Sequence, residues 1–251
     1  VRPAAAAGLY YPGDADGLRC AMETLLGSGG KTAARLPKAL VVPHAGYAYS
    51  GAVAASAFRT LVNAAAASIR HVVLLGPSHR VRMRGLALPS CDYFSTPIGQ
   101  VRVNDVGRRR LRELGLAGIA DTPHALEHSL EVQLPFLQAV LTDFDLLPIA
   151  VGLAPPEQVG RALEAVWGGP ETLIVVSSDV SHYHRYADAR EIDRATGEAI
   201  LALSATLDHL LRRGFPRVGE ALARGKIEAL AKDPGDRVRA IQAMTLLGTP
   251  S

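Results

Sequence analysis

The sequence has few cysteines, few aromatic residues and no long apolar run, and each shortage excludes a class of protein. Its two cysteines, Cys20 and Cys91, have a spacing that matches neither a metal knuckle nor a redox pair. No run reaches the roughly eighteen apolar residues of a membrane-spanning helix, so we expect no membrane association. No Gly-x-Ser-x-Gly string occurs, which argues against a serine hydrolase with a nucleophile elbow.

The net charge and the first residues indicate which partners and which cellular compartment to expect. The net charge of +3 comes from scattered arginines with no aromatic residues between them, so we expect no nucleic-acid partner. Residues 1–4 lack the apolar stretch of a secretory signal, and so few cysteines suit a reducing compartment. We therefore expect a cytoplasmic protein.

Short apolar runs alternate with segments of helical pattern along the chain. Runs of Val, Ile and Leu that stop at Gly, Pro or Ser predict strands buried on both faces. We predict strands over residues 39–43, 71–75, 85–88, 146–151 and 173–178, and helices over 14–26, 52–66, 104–114, 128–141, 188–203 and from 155 onward. Pro135 predicts either a kink or a break in its helix. The alternation of strands and helices, with no repeat or linker, predicts that residues 1–251 form one α/β domain. Its central, largely parallel sheet should carry helices on both faces.

Three of the predicted strands are each followed within a few residues by histidine. The runs are Leu40–Pro43 before His44, Val72–Ser78 before His79, and Leu173–Ser178 before Asp179 and His182. In an open parallel sheet, ligands bind outside the carboxyl ends of the strands. A single histidine at a strand end is as often a hydrogen-bonded core residue. Two imidazoles on adjacent strand ends suit a transition metal, which binds neutral nitrogen, and this pairing favours a functional site.

The string from Glu127 to Glu131 allows two interpretations. His128 and Glu131 are three residues apart, so on a helix they share a face, as metal-binding carboxylates and imidazoles do. Acidic residues are equally favoured at a helix N-terminus by the helix dipole. The string is therefore either part of the site's rim or a helix cap. We expect structural roles for His71, His124, His184 and His209, although His184 lies close enough in sequence to join the rim.

Taken together, these strings resemble the Memo family. The resemblance rests on Pro43-His44-Ala45-Gly46-Tyr47, Gly76-Pro77-Ser78-His79, Glu127-His128-Ser129-Leu130-Glu131, Ser177-Ser178-Asp179-Val180-Ser181-His182 and an opening signature at Leu9-Tyr10-Tyr11-Pro12. It covers roughly residues 8–203 in order. It implies a fold similar to the class III extradiol dioxygenases, whose non-haem iron is bound by histidine and carboxylate ligands. We expect Glu127, His128, Glu131, Tyr47 and Ser78 to line the substrate rim.

The resemblance also implies a metal site, which this sequence matches only in part. The family's ligands are two histidines and one cysteine, and its histidines correspond to His44 and His79. The cysteine does not carry over, because the nearest match is Arg213, within a tail of residues 204–251 that diverges from the family. Two ligands bind a first-row metal weakly. Either another residue completes the set, or the protein is metal-poor. A frameshift near residue 205 would also account for the tail.

The expected function is a metal-dependent oxidoreductase of extradiol-dioxygenase ancestry, with weakly held Fe(II), or else Cu or Zn. His182 is the expected general acid or base because its free pKa lies near neutrality, and Asp179 would orient it. One alternative is a metal-poor scaffold that binds a ligand or protein, and another is a metallohydrolase that uses the same ligands to activate water. The resemblance implies partners of the AMMECR and radical-SAM type, beside an unknown small-molecule or peptide ligand.

Overall fold

The computed structural model describes residues 1–27, 36–62 and 68–198. The helices are α1 (Ala15–Gly27), α2 (Tyr47–Phe58), α3 (Asp105–Glu113), α4 (Thr122–Ala125), α5 (His128–Glu131), α6 (Leu134–Val140) and α7 (Pro156–Ala165), and residues 186–198 are also helical. The strands are β1 (Ala39–Val42), β2 (His71–Pro77), β3 (Leu86–Leu88), β4 (Tyr93–Thr96), β5 (Gly99–Val103), β6 (Gly118–Ile119), β7 (Asp145–Val151) and β8 (Thr172–Ser177). A 3₁₀ turn, Arg59–Leu61, follows α2.

The strands form one mixed sheet that is mostly parallel. Its order is β1-β8-β2-β7-β3-β6, and β5 lies beside the first half of β7 and pairs with β4. The β1–β8, β8–β2 and β2–β7 pairs are parallel, whereas β3–β7 and β4–β5 are antiparallel. The predicted α/β class is confirmed. Because β1, β8 and β2 are adjacent and parallel, their carboxyl ends open on the same edge of the sheet.

Both faces of the sheet are covered, as the continuous apolar runs predict. Alternate strand residues such as Val42, Leu74 and Val175 pack in one cluster with residues of α1, α2 and α6. Their neighbours, Val73 and Ile174 among them, pack in a second cluster with residues of α3 and α7. The period of two along each strand thus divides the core into two layers. Within the described residues, no helix is both long and apolar enough to cross a bilayer.

Several element boundaries differ from the sequence-based expectations for local reasons. α2 begins at Tyr47 rather than near residue 52, because the turn after β1 leads directly into it through Gly46. The predicted helix over 128–141 is split into α5 and α6, with Pro135 in the first turn of the second, where a missing N–H costs no hydrogen bond. The hairpin of β4 and β5 was not predicted. The divergent tail, residues 204–251, lies outside the described residues.

Candidate metal centre

Three imidazoles meet at the edge where β1, β2 and β8 end. The ring centroids of His44 and His79 are 5.1 Å apart, and that of His182 lies 6.3 Å from His44 and 6.1 Å from His79. One ligand nitrogen from each ring lies within 4.8 Å of the other two. We call these residues the three-histidine cluster. Its members come from three separate strand ends, so the parallel sheet is what brings them together.

The hydrogen bonds of Ser177 determine which nitrogen of His44 faces the cluster. The Ser177 hydroxyl donates its one proton to the Ser129 carbonyl at 2.5 Å. It must therefore accept from the Gln133 amide at 2.9 Å and from His44 Nδ1 at 3.0 Å. His44 consequently carries its proton on Nδ1, and the lone pair on Nε2 is directed into the cluster.

The Nε2 atom of His44 is buried and has no hydrogen-bond partner among the described residues. Oδ2 of Asp179 lies 3.6 Å from it, which is too far for a hydrogen bond. Burial lowers the pKa of His44 to about 4 in spite of that carboxylate, so the ring is neutral near pH 7. A buried imidazole nitrogen with a free, directed lone pair could bind a metal ion.

His79 is oriented in the same way by Glu127. One carboxylate oxygen of Glu127 accepts from Nδ1 of His79 at 2.9 Å, and the other accepts from the His79 backbone N–H at 2.5 Å. Burial opposes ionisation of Glu127, but hydrogen bonds from His79 and Ser129 lower its pKa to about 2. Glu127 is therefore an acceptor only, and His79 presents Nε2 to the cluster. A carboxylate behind a ligating histidine is a common arrangement in metal sites.

Glu127 also caps α5, because it accepts the Ser129 backbone N–H at 3.0 Å. The cap interpretation of this string is therefore correct for Glu127, which also binds His79, while the predicted role of the string in a substrate rim stays a prediction. Its neighbour His128 lies between the cluster and the Tyr10 ring, with centroid separations of 4.8 Å from His79 and 4.1 Å from Tyr10. Burial lowers the pKa of His128. His79, Glu127 and His128 form a second group whose ligand atoms lie within 4.8 Å of one another.

Asp179 joins the two turns that carry His44 and His182. Its Oδ1 accepts from the backbone N–H groups of His44 and Ala45, at 2.5 Å and 3.0 Å. Its Oδ2 faces the cluster, 3.9 Å from Nε2 of His182. The loop that follows is strained, since Val180 and Tyr183 have φ of 67° and 60°. Strain of this kind is concentrated at functional sites.

The other residues assigned to the rim lie outside the three-histidine cluster. The Tyr47 hydroxyl donates to the Val132 carbonyl at 2.7 Å, and Ser78 donates to the Val81 carbonyl at 2.8 Å within its own turn. The Glu131 carboxylate is fully buried and accepts from the chain's first residues, Ala5 and Ala6 among them. Their predicted role in substrate binding stays a prediction.

Sequence reasoning missed the residues that hold the imidazoles in place. Ser177 and Gln133 orient His44, Tyr10 stacks on His128, and Arg2 bonds to the segment that carries Glu127. Tyr10 and Ser177 lie in strings that were noted, but nothing in their spacing shows which atoms they contact. Gln133 and Arg2 gave no signal, because a lone amide or arginine is usually a surface residue.

The donor set suits a borderline transition metal. Three imidazole nitrogens, with one carboxylate oxygen nearby, match the ligands preferred by zinc, copper and iron, and they leave coordination positions open. His182 is the third nitrogen donor in this geometry. The arrangement thereby offers a third ligand in a chain whose two cysteines are not in the cluster, since Cys20 is exposed and Cys91 follows β3.

Comparison with known proteins identifies the family of the chain. A family model described as Memo-like protein matches residues 2–210. The chain belongs to the Memo family. This Memo family chain is 39% identical over 197 residues to a MEMO1 family protein of Aquifex aeolicus, covering 77% of this chain and 72% of the relative. It is 34% identical over 253 residues to one of Methanosarcina acetivorans, covering 96% of this chain and 91% of the relative. The memo-1 homolog of Caenorhabditis elegans is 32% identical over 177 residues, covering 68% of this chain and 50% of that protein.

The buried ring of His124 predicts acid sensitivity. Burial lowers its pKa to about 4, against 6.5 for a free imidazole, so the unfolded chain takes up this proton first. The contribution of His124 to the free energy of unfolding is thus fully present above about pH 6.5. It is lost as pH falls toward 4, and it amounts to on the order of 3 kcal/mol. Glutamine can keep the bond to the Ala87 carbonyl, which lies 3.1 Å from Nε2. We expect His124→Gln to reduce the slope of unfolding free energy against pH in this window by about one proton.

The slope is measured by urea unfolding at several pH values in the presence of a chelator. His184→Gln, at an exposed position, is the control and should leave the slope as in the wild type. An unchanged slope in His124→Gln would show that His124 is not a source of the acid sensitivity.

Proposed function

We propose that this Memo family chain is a metal-dependent oxidoreductase whose divalent metal is bound by the three-histidine cluster. Fe(II) is the first choice because of the resemblance to extradiol dioxygenases, and Cu or Zn are the alternatives. The observation that carries the proposal is Nε2 of His44, a buried nitrogen with a free lone pair aimed at two further imidazoles. A bound metal would act there as a Lewis acid and, if redox-active, as an electron relay.

The residues around the cluster have separate tasks in this proposal. Ser177 and Glu127 keep the Nδ1–H tautomers of His44 and His79, so that each offers Nε2 as a ligand. His182 completes the ligand set in place of the family's cysteine. Asp179 orients the turns on both sides, and its Oδ2, 3.9 Å from Nε2 of His182, would stabilise a proton on that ring. If His182 does not bind the metal, it is the general acid or base that the sequence predicts.

A cavity beside the cluster supports a small-molecule substrate. It has a volume of about 470 Å³ and is lined by Asp179 and His182 together with mainly apolar residues, among them Pro43, Tyr49, Val53 and Val180. Mostly apolar pockets with a few convergent polar groups are typical of ligand sites. The predicted cytoplasmic location and the AMMECR-type and radical-SAM partners belong to the same proposal.

The test is metal analysis of protein purified under anaerobic conditions, followed by metal titration. We expect one redox metal per chain in the wild type. His182→Ala should lower the affinity more than about 100-fold, because it removes a ligand, whereas loss of a hydrogen-bond partner of a ligand alone costs about 10–100-fold. His184→Ala, which removes an exposed imidazole two residues away, is the matched control and should bind as the wild type does.

Assays of oxygen consumption and of hydrolysis on the same proteins, read together with the metal titration, separate the competing functions. Metal binding with substrate-dependent oxygen consumption supports the oxidoreductase. Unchanged affinity in His182→Ala with a reduced rate assigns His182 to proton transfer instead of ligation. Hydrolysis of an ester or peptide without oxygen consumption would replace the proposal with a metallohydrolase. Absence of metal from the wild type, even after titration, would replace it with a binding scaffold.

A further inference from the structure

The first residues of the described chain pack against the segment that supports the three-histidine cluster. We call Arg2–Tyr11 the N-terminal strap. The Arg2 side chain is only 5% exposed, and its guanidinium donates in three directions. Nε donates to the His124 carbonyl at 2.9 Å, Nη2 donates to the Glu127 carbonyl at 2.7 Å, and Nη1 pairs with the Glu131 carboxylate. One side chain thus holds both ends and the middle of segment 124–131.

The strap is fixed to the same segment at its other end. The Glu131 carboxylate accepts the backbone N–H groups of Ala5 and Ala6, each at 2.8 Å, and the Tyr11 hydroxyl at 2.5 Å. Next to Tyr11, the Tyr10 ring stacks on His128. The strap and segment 124–131 are therefore one hydrogen-bonded unit, in which Arg2 is the only charged partner of Glu131 among the described residues.

Segment 124–131 in turn orients His79. The backbone carbonyl of Glu127 accepts a hydrogen bond from Arg2. Its carboxylate accepts from both Nδ1 and the backbone N–H of His79. A shift of the Glu127 backbone would move the carboxylate away from Nδ1. The imidazole would then lose the partner that keeps its proton on Nδ1, and Nε2 would no longer be held as a free donor.

We propose that Arg2 is a positioning residue of the metal centre, which acts through Glu127 to set the tautomer and orientation of His79. The consequence for metal binding rests on the proposed function, whereas the effect on His79 does not need a metal. Only arginine meets the geometry, because its planar guanidinium has donors for three acceptors in different directions. Lysine keeps the charge beside Glu131 but lacks the fork that reaches both carbonyls.

The test compares Arg2→Lys with Arg108→Lys. Arg108 is a matched control, since its guanidinium also binds a set of backbone carbonyls, those of Pro89, Ser90 and Cys91, and its side chain is 13% exposed. None of these groups touches the three-histidine cluster. Both variants lose a carbonyl-binding guanidinium, so both should be destabilised.

The first measurement is made on metal-free protein. The ¹⁵N shifts of the His79 ring nitrogens report which one carries the proton, and we expect a single Nδ1–H tautomer in the wild type and in Arg108→Lys. Arg2→Lys should show a mixture. The second measurement is Zn(II) and Fe(II) affinity, which should fall about 10–100-fold in Arg2→Lys, the range found for outer-shell changes, and stay unchanged in Arg108→Lys.

A milder variant keeps the test decisive if Arg2→Lys does not fold. The Arg2 guanidinium lies over the Phe94 ring, 5.2 Å from its centroid. Phe94→Leu loosens the guanidinium without removing it, and should change the His79 tautomer in the same direction by a smaller amount.

The outcomes for Arg2 and for the metal site are distinguishable. An unchanged His79 tautomer in folded Arg2→Lys, or an equal change in Arg108→Lys, would overturn the positioning role even if the wild type binds metal tightly. A tautomer change in Arg2→Lys alone would support that role even if the wild type binds neither metal, a result that would instead overturn the proposed function.

Discussion

Replacing Glu131 with glutamine is expected to lower the free energy of unfolding by about 3–5 kcal/mol, the cost of removing one partner from a buried ion pair. The carboxylate is fully buried, and it accepts from Arg2, from Tyr11 and from two backbone N–H groups. Glutamine has nearly the same shape, but its NH₂ group cannot accept, so at least one backbone N–H or guanidinium donor faces another donor. The Arg2 charge is also left in a buried position without its counter-charge.

Urea unfolding measures this effect as a lower midpoint at a constant m value. Glu198→Gln is the matched control, because Glu198 pairs with Arg194 on the surface, where the two side chains are 61% and 65% exposed. Exposed pairs of this spacing contribute only about 0.3–0.5 kcal/mol. A loss of less than about 1 kcal/mol in Glu131→Gln would show that the buried pair is not a main anchor of the N-terminal strap.

His44→Asn is expected to reduce metal affinity by more than about 100-fold, beyond the range for outer-shell partners. The asparagine amide nitrogen takes the place of Nδ1 and can keep the hydrogen bond to Ser177. It supplies nothing where Nε2 stood, and Nε2 is buried with no hydrogen-bond partner in the part of the chain that the structure describes. The substitution therefore removes the ligand while it disturbs the surrounding hydrogen bonds as little as the chain allows.

The measurement is titration of metal-free protein with Zn(II) and Fe(II), together with a thermal melt that verifies folding. His71→Asn is the control, since His71 begins β2 at the opposite edge of the sheet, where it pairs with Asp145. It should bind metal as the wild type does. Wild-type affinity in His44→Asn would contradict the assignment of His44 as a ligand.

The sequence carried enough information to predict the class of fold. Runs such as 72–75 and 173–176 are apolar at every position, short and rich in valine, which favours a strand buried on both faces. The start of α3 was equally readable: the helix predicted over 104–114 opens with Asn104, a preferred N-cap residue, and its side chain accepts the Gly107 backbone N–H. The hairpin of β4 and β5 escaped notice because its strands have only four and five residues, too few for their alternation of exposed and buried side chains to stand out in the sequence.

The position of the candidate site was predictable for a similar reason. His44, His79 and Asp179 each follow a buried strand, and parallel neighbours must end on the same edge. The sequence left open which residue could be a third ligand and what Glu127 does, and interatomic distances in the structure bear on both questions. His182 approaches the other rings closely enough to be a third ligand, and Glu127 both caps α5 and binds His79.

The sequence by itself thus determined the buried strands of the parallel sheet and the edge at which the histidines collect, because these follow from local periodicity and from the geometry of parallel sheets. Only the tertiary structure decided which ring nitrogen of His44 and of His79 carries the proton. That choice depends on Ser177, Gln133 and Glu127, which lie far from His44 or His79 in sequence. Glu127 is in turn bound by Arg2, which lies 125 residues away from it in sequence. A hydrogen bond across such a separation has no periodicity in the chain, so nothing local in the sequence reveals it.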